Sequence, residues 1–214
     1  MKLTHLLMSN CLDRPYLGIT RIAGICGIFI PVVIFTCLGL ALVSSPWFSW
    51  TQHALSDLGV NGPSAVFFNY GMVLGGILAF IFSLGLIQVL SKKLGAYILT
   101  LSSFALIGIG LFPETLFPLH FITSASFFVL LISAFLLIGL RVKQDRFNRS
   151  MGLFALLFVT IAVCSTFFLF CLPGIAILEA LSCFPAFFWC MVVGIKMTSM
   201  QAFTASRREI KHLQ

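Results

Sequence analysis

GITRIAGICGIFIPVVIFTCLGLALVSSPWFSWTQHALSDLGVNGPSAVFFNY, residues 18–70, decides the class of this protein. No Asp, Glu, Lys or Arg occurs between Arg21 and Asp57. At about 1.5 Å per residue the apolar part, residues 18–44, is longer than the roughly 30 Å of a bilayer's hydrocarbon core. The polar stretch that follows, residues 45–64, gathers Trp47, Trp50, His53 and Asp57 before the chain turns apolar again.

The pattern repeats along the chain. Apolar runs at about 65–90, 95–112, 119–140, 151–171 and 174–196 join the first to give six expected spans, with tails at 1–17 and 197–214. The chain is 60% hydrophobic and 9% charged, with mean hydropathy +1.10, too little charge to solvate a water-soluble surface. A membrane barrel would alternate apolar and polar residues over about ten positions, and these runs do not alternate. The expected fold is therefore all-α: one transmembrane domain over 1–214, an integral membrane six-helix bundle.

Charge placement supplies the orientation. All 13 Lys and Arg fall on one side if the spans alternate: Lys2, Arg14 and Arg21; Lys92 and Lys93; Arg141, Lys143, Arg146 and Arg149; Lys196, Arg207, Arg208 and Lys211. The positive-inside rule then puts the N-terminus and the C-terminus in the cytoplasm. A plasma or inner membrane suits that bias. Anionic headgroups account for the net charge of +7, so nucleic acid is not an expected partner, whereas membrane lipids are. A homo-oligomer is compatible with the apolar surface. The first run is too long for a signal-peptide core and reads as a retained anchor. Both tails carry apolar residues among bases, the pattern of solvated anchors or short interfacial segments. The seven cysteines show no metal-binding spacing, and Cys171 with Cys183 is the one pair placed for a disulfide.

Within residues 45–64, Ser49 and Gln52 have capping-box spacing and Gly59 offers a left-handed stop, which predicts a short interfacial helix over 50–58. Asn61, Gly62 and Pro63 would turn the chain into the second span. Pro31 and Pro185 each remove a backbone donor inside a span.

The acids do not follow the bases. Asp57, Glu114 and Glu179 fall on the side that has no Lys or Arg, accompanied by His53, Asn69, Tyr70, His120, Ser124 and Ser182. Glu179 lies roughly 7 Å down its helix, where an acid costs up to about 3 kcal/mol, so it should face the interior. The expectation is a polar pocket at the outer ends of spans two, four and six, roofed by residues 45–64. Asn69, Tyr70, Glu114 and Ser182 are its candidate ligand contacts.

Several functions fit these residue types. His53, Asp57, His120 and Glu179 could form a zinc shell that activates water on a lipid, though no HExxH is present. His120 and Glu179 could work without metal as an acid/base pair, with Ser124 or Ser182 as nucleophile, in lipid acyl transfer. The same groups could instead satisfy one another, hold the helix ends together and bind or organise lipid without chemistry. That last reading leads, with a lipid hydrolase or acyltransferase and a small-solute or lipid transporter as alternatives.

The sequence resembles the membrane family known as domain of unknown function 998. The resemblance rests on Leu55-Ser56-Asp57-Leu58-Gly59, Gly62-Pro63, Phe68-Asn69 and Gly75, on Phe112-Pro113-Glu114, His120 and Phe127-Phe128, and on Glu179. It spans about residues 18–198 and implies the six-span frame rather than an activity. A more distant similarity is to the Frag/DRAM/Sfk group, whose loop before span two carries Ser-Asp-x-Gly-x-x-Pro-Pro. Gly62 stands here where the first of those prolines would be. That group's association with lipid remodelling and organisation implies a lipid-related role.

Overall fold

In hydrocarbon every backbone N–H and C=O must be satisfied within its own segment, so each apolar run becomes a helix. A computed structural model describes residues 2–142, 149–166 and 174–212, and the side chains of 18–141, 149–165 and 174–199. The helices are α1 (Lys2–Val43), α2 (Gly62–Val89), α3 (Leu94–Leu111), α4 (Leu119–Val142), α5 (Arg149–Thr166) and α6 (Ala176–His212). No strand occurs among the described residues. Gly18–Val43 of α1, α2, α3, Leu119–Arg141 of α4 and Ala176–Ser199 of α6 are each long and apolar enough to cross a membrane. The fifth expected span, 151–171, is described only in part: the apolar stretch Arg149–Ser165 belongs to α5, and residues 167–173 lie outside the described set.

Each helix packs antiparallel to its neighbour in the chain, and α6 closes the ring against α1. Close contacts fix the order: Gly75 against Ile34, Gly76 against Ile107, Gly95 against Ile138, Phe135 against Phe158, Ser165 against Ser182, and Phe35 against Phe184. Trp189 fills the centre. Its ring lies 4.9 Å from Phe135 and 6.4 Å from Phe82, and its indole N–H donates to the Met151 carbonyl at 2.9 Å, so its one polar atom is satisfied in the core.

This alternation divides the bundle into two ends. Arg21, Lys92, Lys93, Arg141, Arg149 and Lys196 mark one end, and Asp57, Glu114 and Glu179 the other. Both tails continue the terminal helices rather than forming separate elements, since α1 starts at Lys2 and α6 reaches His212. The amphipathic faces expected there fall outside the described side chains. Cys171 is likewise outside the described residues, while Cys183 is a buried free thiol that donates to the Glu179 carbonyl at 2.9 Å.

The helix expected over 50–58 is replaced by two short turns and a 3-10 segment, Leu55–Gly59. Side chains take the backbone donors a longer helix would use. The Ser49 N–H donates to His53 Nδ1 at 3.0 Å, and the Ala54 N–H donates to Asp57 Oδ2 at 2.9 Å. Gly59 is not left-handed; the positive φ belongs to Gly62, at +72°, just before Pro63 in the first turn of α2. Gly59 serves close approach instead, because a Cβ there would lie 2.6 Å from Asn69 Oδ1.

Candidate functional site

Residues 44–61 are bound to the start of α6 as a strap. The Gly174 N–H donates to the Thr51 carbonyl at 2.9 Å, and the Ala176 N–H to the His53 carbonyl at 3.0 Å. Leu55 completes it, its N–H donating to Glu179 Oε2 at 2.6 Å. One orphan donor at the N-terminus of α6, the Gly174 N–H just before it and the Glu179 carboxyl are thereby satisfied by the same segment. A side chain on Gly174 would collide with the strap's backbone, a Cβ falling 2.5 Å from His53 N.

Asn69 anchors the strap from the other side, its side-chain N–H donating to the Gly59 carbonyl at 3.0 Å. Its Oδ1 is buried with no partner. Asp57 caps the 3-10 segment, and Glu114 comes within hydrogen-bonding reach of it. Loss of solvent, that bond and the charge of Asp57 push the Glu114 carboxyl above its ordinary pKa, partly offset by nearby His120.

His120 is buried, at 8% exposure, as the second residue of α4. Its Nδ1 lies 2.7 Å from the Phe112 carbonyl at the end of α3, and its Nε2 lies 3.2 Å from Ser124 Oγ. A carbonyl can only accept, so Nδ1 carries the proton and Nε2 presents its lone pair to the Ser124 hydroxyl.

Two cavities meet at this point. An inner one of about 50 Å³ lies among α1, α2, α3, α4 and α6, with Ser56, Ser124 and Glu179 as its polar lining. A lateral crevice of about 270 Å³ runs between α4, α5 and α6, walled by Phe121, Phe128, Ile132 and Leu178 over a floor of Ser124, Ser165, Ser182 and Glu179. Ser124, Phe128 and Glu179 belong to both. The inner cavity has the expected contributions of α2, α4 and α6 beneath Leu55 and Ser56, and the lateral crevice adds α5.

The expected site residues are partly brought together. Ser124, Glu179 and Ser182 line the crevice, with His120 directly behind Ser124. Tyr70 does not join them; it is 64% exposed on the outside of α2. Asn69 and Glu114 hold the strap end rather than lining the crevice. The zinc set of His53, Asp57, His120 and Glu179 is not assembled, and among the described residues no three His, Cys, Asp or Glu gather to hold a metal. His53 Nδ1 is used by Ser49, its ring sits 5.1 Å from Trp47 and 5.8 Å from Phe48, and both nitrogens of His120 are engaged.

Two participants were not singled out by sequence reasoning. Ser165 lies 2.8 Å from Ser182 across the α5–α6 contact. The Leu55 N–H is the partner of Glu179. A hydroxyl within an apolar run was the only available sign of the first, and a backbone donor leaves none.

The family model described as a protein of unknown function (DUF998) matches residues 25–196. The chain belongs to the DUF998 family. No curated protein and no solved structure matches it. This DUF998 protein is an integral membrane protein by its apolar spanning helices. The match covers Glu179, His120, Ser124 and the strap, so the whole site lies within the family's extent.

Proposed function

We propose that this protein binds a membrane lipid, seating part of an acyl chain in the crevice between α4, α5 and α6. The observation that carries the reading is the crevice's lining, nearly all apolar with Ser124, Ser165, Ser182 and Glu179 as its polar members. Exposed Phe121 and Ile175 flank it, so the approach is from the side of the bundle, where lipid chains lie. Its volume of about 270 Å³ sits near the lower bound of ligand pockets, about 300 Å³, which suits a segment of a chain rather than a whole molecule.

Depth supports a lipid over a soluble ligand. Ser124 is five residues into α4 and Glu179 three into α6, about 8 and 5 Å below the helix starts. The interfacial layer on each side of a bilayer is roughly 5–7 Å thick. The polar floor would then lie beside the glycerol and ester region while the walls meet the chain. In this reading the basic end faces the cytoplasm of a plasma or inner membrane, and the strap lies on the outer face with Trp47 and Trp50 at headgroup level.

The test is photocrosslinking with phosphatidylcholine carrying a diazirine in its acyl chain, in nanodiscs, with adducts mapped by mass spectrometry. Adducts should concentrate on Phe121–Ile132 and Ile175–Ser182. Ala125→Trp, which fills the crevice from α4, should remove most of them. An even spread over every lipid-facing helix, unchanged in Ala125→Trp, would refute the reading.

A further inference from the structure

Hydroxyls in apolar helices commonly rest on the carbonyl three or four residues back, which satisfies the proton within the helix. Thr100, Thr123, Thr160 and Ser199 do so here, at 2.8–3.1 Å. Ser124 does not. Its hydroxyl is turned to His120 Nε2, 3.2 Å away, while the Phe112 carbonyl holds the opposite ring nitrogen at 2.7 Å. Nucleophile, base and an acceptor that fixes the base's tautomer are thus aligned, the order of parts that activates a serine.

We propose that Ser124 is an activated nucleophile that accepts the acyl group of a glycerolipid ester bound in the crevice. The inference rests on the lipid-binding reading for its substrate. Ser124 lines the crevice and His120 does not, so an ester at that depth meets the hydroxyl and not the imidazole. Ser124 Oγ attacks the ester carbonyl carbon as its proton passes to His120 Nε2. The ester C–O bond breaks, the alkoxide leaves with the proton from His120, and the acyl group remains on Ser124. Water then attacks the acyl-serine, releasing a fatty acid and restoring the hydroxyl, with His120 taking the water's proton and returning it to Ser124.

The inner cavity provides for the second half. At about 50 Å³ it exceeds the roughly 10–15 Å³ a water needs, and Ser56, Ser124 and Glu179 offer it polar contacts. Because Ser124 lines both cavities, water from one and lipid from the other would reach the same side chain. The other hydroxyl pair on the floor is committed: Ser165 donates to the Ala162 carbonyl at 2.8 Å, so Ser182 donates to Ser165, and neither faces a base.

The experiment reacts the full-length protein in phosphatidylcholine nanodiscs with an alkyl fluorophosphonate, following intact mass and mapping the adduct. One phosphonyl group on Ser124 is expected. It should be absent in Ser124→Ala and form at least about 100-fold more slowly in His120→Gln, the lower bound for general-base assistance. Ser83→Ala, on the far α2–α3 contact, should label as the parent does. Melting curves on each variant separate loss of the base from loss of fold; if His120→Gln does not fold, Ser124→Cys replaces it. An activated thiol there should alkylate faster than free cysteine, and a rate no faster counts against the proposal. Diazirine crosslinking runs on the same samples. Crevice crosslinks without a Ser124 adduct overturn the nucleophile and leave lipid binding standing. Adduct formation equally fast in folded His120→Gln overturns the role of the base. Failure of both measurements overturns both readings.

Discussion

Replacing Glu179 tests how the strap is held. In Glu179→Ala the Leu55 N–H loses its acceptor at 2.6 Å while Leu55 itself stays buried. A hydrogen bond to a carboxyl group is worth about 1–3 kcal/mol net, and a buried donor left alone costs a similar amount, so a loss of about 2–3 kcal/mol is expected. Glu179→Gln keeps a carbonyl acceptor at the same reach and should lose about 1 kcal/mol or less. Hydrogen–deuterium exchange in nanodiscs reads the bond directly. At about 1.4 kcal/mol per factor of ten, exchange at Leu55 should speed roughly 30- to 150-fold in the Ala variant and fewer than tenfold in the Gln variant. The neighbouring bonds from Gly174 and Ala176 to the strap should exchange faster as well, because the three restrain one segment. Unchanged Leu55 exchange in Glu179→Ala, or equal effects of Ala and Gln, would refute the assignment of Glu179 as the strap's anchor.

Gly174→Ala attacks the same strap without touching chemistry. Its Cβ would meet backbone at 2.5 Å, so melting temperature should fall and strap exchange should rise even though every polar group remains. The Glu114 carboxyl, pushed above its ordinary pKa, binds more proton in the native state than in the unfolded chain between those two values. Stability contributed by this group should therefore fall as pH rises through that window, and Glu114→Gln should flatten the dependence of melting temperature on pH. His120→Ala strips a partner from the Phe112 carbonyl and from Ser124, and should cost about 2–3 kcal/mol in a chemical denaturation series, with Ser124→Ala costing about 1 kcal/mol or less.

The architecture was legible because hydrophobic run length and charge placement are statements about solvent, and solvent dictates helix in a bilayer. The meeting of Glu179, Ser124 and Ser182 was legible for the same reason: polar groups at one depth in an apolar bundle have only the interior to face. The strap was harder. Ser49, Gln52 and Gly59 have the spacing of a capped helix, yet His53 and Asp57 compete for the same N–H groups from within the segment, and local side-chain capping outweighs propensity over so few residues. Tyr70 is a polar residue on the same side as Asn69, but adjacent helical residues lie about 100° apart, so Asn69 points to the strap and Tyr70 away.

The crevice's position follows from where the glycines are. Helices α1, α2 and α3 carry glycines along their contacts, as at Gly24, Gly71, Gly75, Gly76, Gly85 and Gly110, and each lets a neighbouring helix approach until a Cβ would not fit. The other half of the ring has them only near the basic end. Gly139 of α4 meets Leu156 and the Gly152 carbonyl of α5, and Gly194 of α6 meets the backbone of α1. Toward the strap end, α4 and α6 instead present Phe121, Phe128, Leu178 and Phe184. The glycine contact between α4 and α5 lies at the basic end, and toward the strap end large side chains of α4 and α6 border the crevice that Ser124, Ser182 and Glu179 also line, leaving a wedge there. Without nearby carboxyl and hydroxyl groups that wedge would be a packing defect, costing dispersion contacts for no return. The strap's bond to Glu179 and the His120–Ser124 pair bring the bundle's polar groups to its lining, as the proposed lipid site requires.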